Sequence, residues 1–130
     1  MRLLLDTHVL LALLKEGDAT LPPFMRNALV HRDASLIVST ASLWEIVIKV
    51  RSGKLGIGIA LADLMEACTA ARMSLIAIEP HHVLAEVVPE PATRDPFDRL
   101  LLAQAAAEDM RLVTLDRMLV GHSRAWQPDA

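Results

Sequence analysis

The sequence predicts an α/β domain with a central, mostly parallel sheet, on three observations. Short apolar runs such as Arg2–Leu5 lack the polar alternation of a half-solvated strand. Such runs mark strands covered on both faces. Stretches with helical spacing separate them, and strands alternating with helices give a parallel sheet. Two of the runs end in a carboxylate, Asp6 and Asp116, and ligands of such sheets bind beyond the strands' carboxyl ends.

Each element follows in turn. Arg2–Leu5 is the first predicted strand, ended by Asp6 and Thr7, and His8–Lys15 is a predicted helix. Pro22 and Pro23 suit the first turn of a second helix, with Phe24, Ala28 and Leu29 as its apolar face. Leu36–Ser39, rich in β-branched residues, is the second predicted strand. Thr40 is the expected cap of a helix reaching Arg51, with Leu43, Ile46, Val47 and Val50 at helical spacing. Ser52–Gly58 reads as a turn. A helix over Leu61–Arg72, a strand over Leu75–Ile78, a short helix over Pro80–Val88 and a loop over Pro89–Thr93 come next. Asp95 opens a helix through Ala107, Arg111–Leu115 is the fourth predicted strand, and Ala125–Gln127 is a short final one.

Composition narrows the class. A chain of 130 residues, 53% of them hydrophobic, is expected to form one domain (1–130) with its own core. The single cysteine, Cys68, excludes an internal disulfide framework and fits a reducing compartment. The longest uncharged run, Ala34 to Trp44, has 11 residues, short of a membrane span. The opening MRLLLDTHVLLALLKEG superficially resembles a secretion signal, but Asp6 interrupts its apolar stretch. No lipidation motif is evident, and the expected location is cytoplasmic. A net charge of −3, 3% aromatic residues and no tyrosine argue against a base-stacking nucleic-acid platform. Any contact with nucleic acid then runs through phosphates.

Four acids carry the chemistry. Asp6 and Asp116 follow the first and fourth predicted strands, Glu45 lies in the helix after the second, and Asp98 lies in the first turn of the helix opened by Asp95. Each has a purely structural reading. Asp6 caps a helix. Glu45 pairs with Lys49 at i,i+4. Asp95-Pro96-Phe97-Asp98 is a helix start with acids near the positive end of the dipole. Asp116 starts a turn. Glu45 and Asp98 nevertheless stand among apolar neighbours, where charges are rarely buried unless paired or metal-bound. Two carboxylates about 4 Å apart repel by about 4 kcal/mol at an effective dielectric of about 20. A converging quartet therefore calls for protons or a divalent cation, and oxygen-only donors suit Mg²⁺ or Mn²⁺ rather than zinc. The histidines suggest no zinc site: His81 and His82 are adjacent, the wrong spacing for one face, and His8, His31 and His122 are isolated. Setting the four acids aside leaves the remaining chain at +1. Candidate phosphate contacts are Lys49, Arg51, Lys54, Arg94, Arg99 and Arg117. For the first three, favourable placement near a helix C-terminus is the competing reading.

The segments LLLDTHVLL (3–11), STASLWEIVIKVRSGKL (39–55), RDPFDRLLLAQA (94–105) and LVTLD (112–116) resemble the PIN-domain family, and more closely its VapC-type toxin ribonucleases of type II toxin–antitoxin modules. The resemblance covers nearly the whole chain in the right order. It implies a three-layer α/β/α sandwich and Mg²⁺- or Mn²⁺-dependent endoribonuclease activity. It also implies a small antitoxin partner that covers the active site, and a homodimer. The family's acidic quartet falls on Asp6, Glu45, Asp98 and Asp116. Thr7 and Thr114 match polar positions beside it, and Asp95 is implied to support the site. The sequence departs from the family pattern at Thr93, where histidine is common, and at Ala12, where an aromatic is common.

On this reading the expected chemistry is hydrolysis of an RNA phosphodiester by an activated water, with Asp6, Asp98 and Asp116 holding one or two ions and Glu45 completing the metal site and orienting or deprotonating the water. The main alternative is a non-catalytic PIN-like protein-interaction module. A phosphotransfer enzyme with Asp6 as nucleophile fits less well, because His8 stands where phosphatases of that kind place a second acid. Dinucleotide binding lacks its glycine fingerprint after the first strand. The amphipathic stretches Phe24–Val30 and Leu61–Met73 are either core faces or partner surfaces.

Overall fold

The computed structural model describes residues 1–16 and 20–128. Strands β1 (Arg2–Leu5), β2 (Ser35–Ser39), β3 (Ser74–Ile76) and β4 (Arg111–Val113) form one sheet in the order β3-β2-β1-β4. All three pairings are parallel. The helices are α1 (Thr7–Glu16), α2 (Pro23–Val30), α3 (Thr40–Arg51), α4 (Leu64–Ala70), α5 (Pro80–Leu84) and α6 (Pro96–Ala107), with a 3-10 turn at Leu61–Asp63.

Successive strand residues point to opposite faces, and β1 shows what this does. Leu3 and Leu5 join a core with Val9 and Leu10 of α1, Met25 and Leu29 of α2, Ile46 of α3, and Leu64 and Cys68 of α4. Leu4 joins a second core with Leu101, Leu102 and Ala105 of α6. Two cores, one on each face of a parallel sheet, make the three-layer α/β/α sandwich that the sequence predicts. Cys68 is a buried free thiol. Among the described residues no helix is long and apolar enough to cross a membrane.

Several expectations are corrected. Ser39, not Thr40, caps α3: its hydroxyl accepts the Ala41 N–H at 3.0 Å. The apolar face of α2 is Met25 and Leu29, while Phe24 is 49% exposed and stacks on Trp126 at 6.1 Å between ring centroids. The helix expected over Leu61–Arg72 is a 3-10 turn followed by α4. The chain leaves it through Arg72, whose φ of 61° is left-handed and cannot continue a helix. The helix expected to reach Val88 stops at Leu84. Ala85 is extended (φ −65°, ψ 137°) and ends the helix, and Val83, Leu84 and Val88 are all exposed. The third and fourth strands are shorter than expected, and the final strand reduces to a parallel bridge between Leu112 and Ala125.

Candidate active site

Sheet register brings the first two acids together. Leu5 pairs with Val113, so β1 and β4 end side by side, and the Asp6 N–H donates to the Val113 carbonyl at 3.1 Å. Beyond that point lie Asp6 on one strand and Thr114 and Asp116 on the other. The Thr114 hydroxyl accepts the Asp116 N–H at 3.0 Å and lies beside the Asp6 carboxyl, whose pKa it lowers. Asp6 Oδ1 accepts the Val9 N–H at 2.8 Å, an N-terminal capping bond for α1.

The other two acids come from opposite layers. α3 starts directly at the end of β2 and turns Glu45 inward, where Oε1 accepts the Thr7 hydroxyl at 2.6 Å. Oε2 accepts the Lys49 ammonium, also at 2.6 Å. Asp95 caps α6 through Oδ1, which accepts the N–H groups of Phe97 at 2.8 Å and Asp98 at 3.3 Å. Pro96 fills the first position, and Asp98 follows in the first turn. Asp6 and Glu45 are buried, and Asp98 and Asp116 are half-buried.

Electrostatics shows that the four acids share one field. The Asp98 carboxyl is pushed up to about 7, first by desolvation and then by the charges of Asp95, Asp116, Glu45 and Asp6, all acting in the same direction. Asp6 is also raised, chiefly by burial, with Asp116 adding to the rise. The Thr114 hydroxyl, the Val9 N–H and His8 oppose it. The Lys49 ammonium is held above its ordinary value, first by the bond to Glu45. Burial works against this rise, and the charges of Glu45, Asp95 and Asp98 add to it.

Every structural role weighed for these acids is also present. Asp6 and Asp95 cap helices, Glu45 pairs with Lys49, and Asp116 accepts the Met118 N–H at 2.7 Å in a turn. The Glu45–Lys49 pair, however, does not lie on a solvated face, because the glutamate side chain is only 8% exposed. Of the candidate phosphate contacts, Arg51, Lys54, Arg94 and Arg117 are exposed. Arg99 is turned aside by an ion pair with Glu90 and a 3.3 Å bond to the Thr93 carbonyl, and Lys49 is occupied by Glu45.

A second polar cluster escaped the sequence reading. His81 Nε2 and His82 Nε2 both meet Glu108 Oε1, at 3.0 and 2.8 Å, so adjacent histidines do converge, together with an acid more than twenty residues away. Their ligand atoms lie close enough to hold an ion. His82 Nδ1 accepts the Glu79 N–H at 3.0 Å, which leaves the proton on Nε2, where it donates to Glu108. In that tautomer the group is a hydrogen-bonded clasp between α5 and the end of α6.

A parallel α/β sandwich with carboxylates gathered past the ends of β1 and β4, faced by acids from α3 and α6, defines an α/β protein with an acidic site beyond its strand ends. The PIN domain family model matches residues 3–123, and the chain belongs to that family. Among solved structures, the crystal structure of VapBC2 from Rickettsia felis bound to a DNA fragment from their promoter contains a chain of similar fold. Its TM-score is 0.64 and its identity 16%, with 96% of each chain covered. A comparison with curated proteins found no match.

Proposed function

We propose that this protein is an Mg²⁺- or Mn²⁺-dependent endoribonuclease, the toxin of a type II toxin–antitoxin pair. The observation that carries the reading is the placing of Asp6, Glu45 and Asp116 within electrostatic reach of Asp98, whose carboxyl is lifted to about 7 first by burial and then by the charges of Asp95 and these three acids. Carboxylates that raise one another's pKa are relieved by a divalent cation among them. The donors are all oxygen, which suits a hard divalent ion. Asp6, Asp98 and Asp116 would hold it. When bound, such an ion lowers the pKa of water and neutralises charge on a phosphodiester.

The chain's own residues prepare that chemistry. Thr114 and the Val9 N–H fix the Asp6 carboxylate, and the Asp95 cap fixes the first turn of α6 beneath Asp98. Thr7 and Lys49 fix Glu45. Each carboxylate oxygen accepts more than one hydrogen bond, so Glu45 keeps capacity to orient an attacking water. In-line attack by that water leaves a 5′-phosphate and a 3′-hydroxyl. Arg51, Lys54, Arg94 and Arg117, exposed around the acids' elements, supply phosphate contacts. The biological role rests on family membership, on the likeness to a chain of the VapBC2 structure and on the motif resemblance. The partner is a small antitoxin covering the acids, the toxin is a homodimer, and the pair resides in the cytoplasm.

The test is incubation of the purified chain with RNA. Cleavage is expected with Mg²⁺ or Mn²⁺, and not with EDTA or in Asp6→Asn. Unchanged cleavage by Asp6→Asn overturns the reading and assigns the activity to a contaminant. A neighbouring reading frame whose product co-purifies and blocks cleavage tests the toxin role.

A further inference from the structure

Among the described residues, Glu45 differs from its fellow acids in being ion-paired, to Lys49. Its carboxylate is buried, yet the lysine bonded to it is 39% exposed. The ammonium thus covers a buried acid from the solvent side. The charges of Asp95 and Asp98 act on the same ammonium, so its field extends beyond Glu45. A pair on a helix surface would leave both partners in water. Here the lysine is the compensating charge of an acidic pocket.

Resting on the nuclease reading above, we infer that Lys49 is a positioning residue that sets the affinity of the acid cluster for its divalent ion. It holds Glu45 against Thr7 in the metal-free chain and opposes the incoming cation through like-charge repulsion. Its ammonium is the charge the ion must outcompete, and Glu45 joins the ion's donors to the extent that Lys49 releases it. Lysine at this position keeps the ion exchangeable.

The probe is Mn²⁺ alone, titrated into the full chain and followed through the electron paramagnetic resonance signal of the free ion. Lys49→Met is expected to bind Mn²⁺ about tenfold more tightly than the native chain. That is the size of the repulsion between a divalent ion and one ammonium a few ångström away at near-solvent dielectric. Lys49→Gln, which keeps a donor for Glu45 without the charge, is expected to tighten binding in the same direction, and it carries the test if the methionine variant does not fold. Lys49→Arg is expected to stay within about twofold of the native chain. Unchanged or weaker Mn²⁺ binding in the neutral variants overturns the inference and leaves the nuclease reading intact. A native chain that binds no Mn²⁺ overturns both.

Discussion

The two ends of α6 carry the molecule's two main polar clusters, and they are balanced in opposite ways. At the first turn, Asp98 feels the charges of Asp95, Asp116, Glu45 and Asp6, all of which raise its pKa. At the C-terminal cap, Glu108 faces two histidines, which hold its carboxyl below the ordinary value. An isolated acid would prefer the first position and avoid the second, because the helix dipole is positive at its start and negative at its end. The fold nevertheless leaves the favoured position with an excess of negative charge that Lys49 offsets only in part, and it satisfies the disfavoured one. Internal balance marks the clasp as part of the scaffold; the imbalance at the other end is what a ligand would relieve.

The sharpest way to break the contrast is to remove an acid from the unbalanced end. Asp6→Asn keeps an oxygen for the Val9 N–H and loses the charge. RNA cleavage is expected to fall at least about 1,000-fold, with thermal melting of the metal-free chain showing little loss. Asp98→Asn is expected to lower cleavage at least about 100-fold.

Next in size is the His82 clasp. His82 is fully buried, and His82→Ala opens a cavity while leaving the Glu79 N–H and the Glu108 carboxylate without their partner. The expected cost is about 3 kcal/mol, a fall in Tm of about 10 °C. Mn²⁺ affinity is expected to stay within about twofold, because the clasp lies a full helix length from Asp98. Loss of Mn²⁺ binding in this variant would show that the two ends of α6 are one unit and dissolve the comparison.

Acid and base act on the two ends with opposite sign. Asp98 is raised from 3.8 to about 7, so the folded metal-free chain holds a proton that the unfolded chain has released. Its contribution to stability is greatest below 3.8 and is lost as pH rises to about 7. Saturating Mg²⁺ is expected to flatten that decline. Glu108 is lowered from 4.5, so its contribution is present above 4.5 and is lost as pH falls through the depressed value. Chemical denaturation across pH, with Asp98→Asn and Glu108→Gln, checks each limb separately.

How much of this was legible in the sequence follows from how local each signal is. Asp6 and Asp116 were readable because a parallel sheet puts strand ends on one edge. Glu45 and Asp98 stood out as acids set among apolar residues. The partners of those acids were not readable. Glu45 reaches Thr7 across 38 residues, and nothing in the spacing decides whether Lys49 points at the acid or at water. His81 and His82 converge only because α5 is short and the end of α6 passes beneath it. Phe24 has the right chemistry for a core face but stays half exposed, stacked on Trp126 from the other end of the chain. Ser39 and Thr40 are both competent caps, and their order at the strand end settles which one acts.

The smallest expected effect separates two jobs of one residue at the unbalanced end. Asp95 caps α6 through its oxygen and raises Asp98 through its charge, second only to desolvation. Asp95→Ala removes both and is expected to cost about 1 kcal/mol, as lost caps do. Asp95→Asn keeps an acceptor for the Phe97 and Asp98 N–H groups and removes only the charge. Its stability at pH 8 is expected to match the native chain or slightly exceed it, and the titration of Asp98 is expected to move below about 7. Carboxyl NMR shifts and thermal melts read the two effects independently. Equal melting of the alanine and asparagine variants would mean that the cap contributes nothing and that Asp95 belongs with the crowded acids rather than with the helix that presents them.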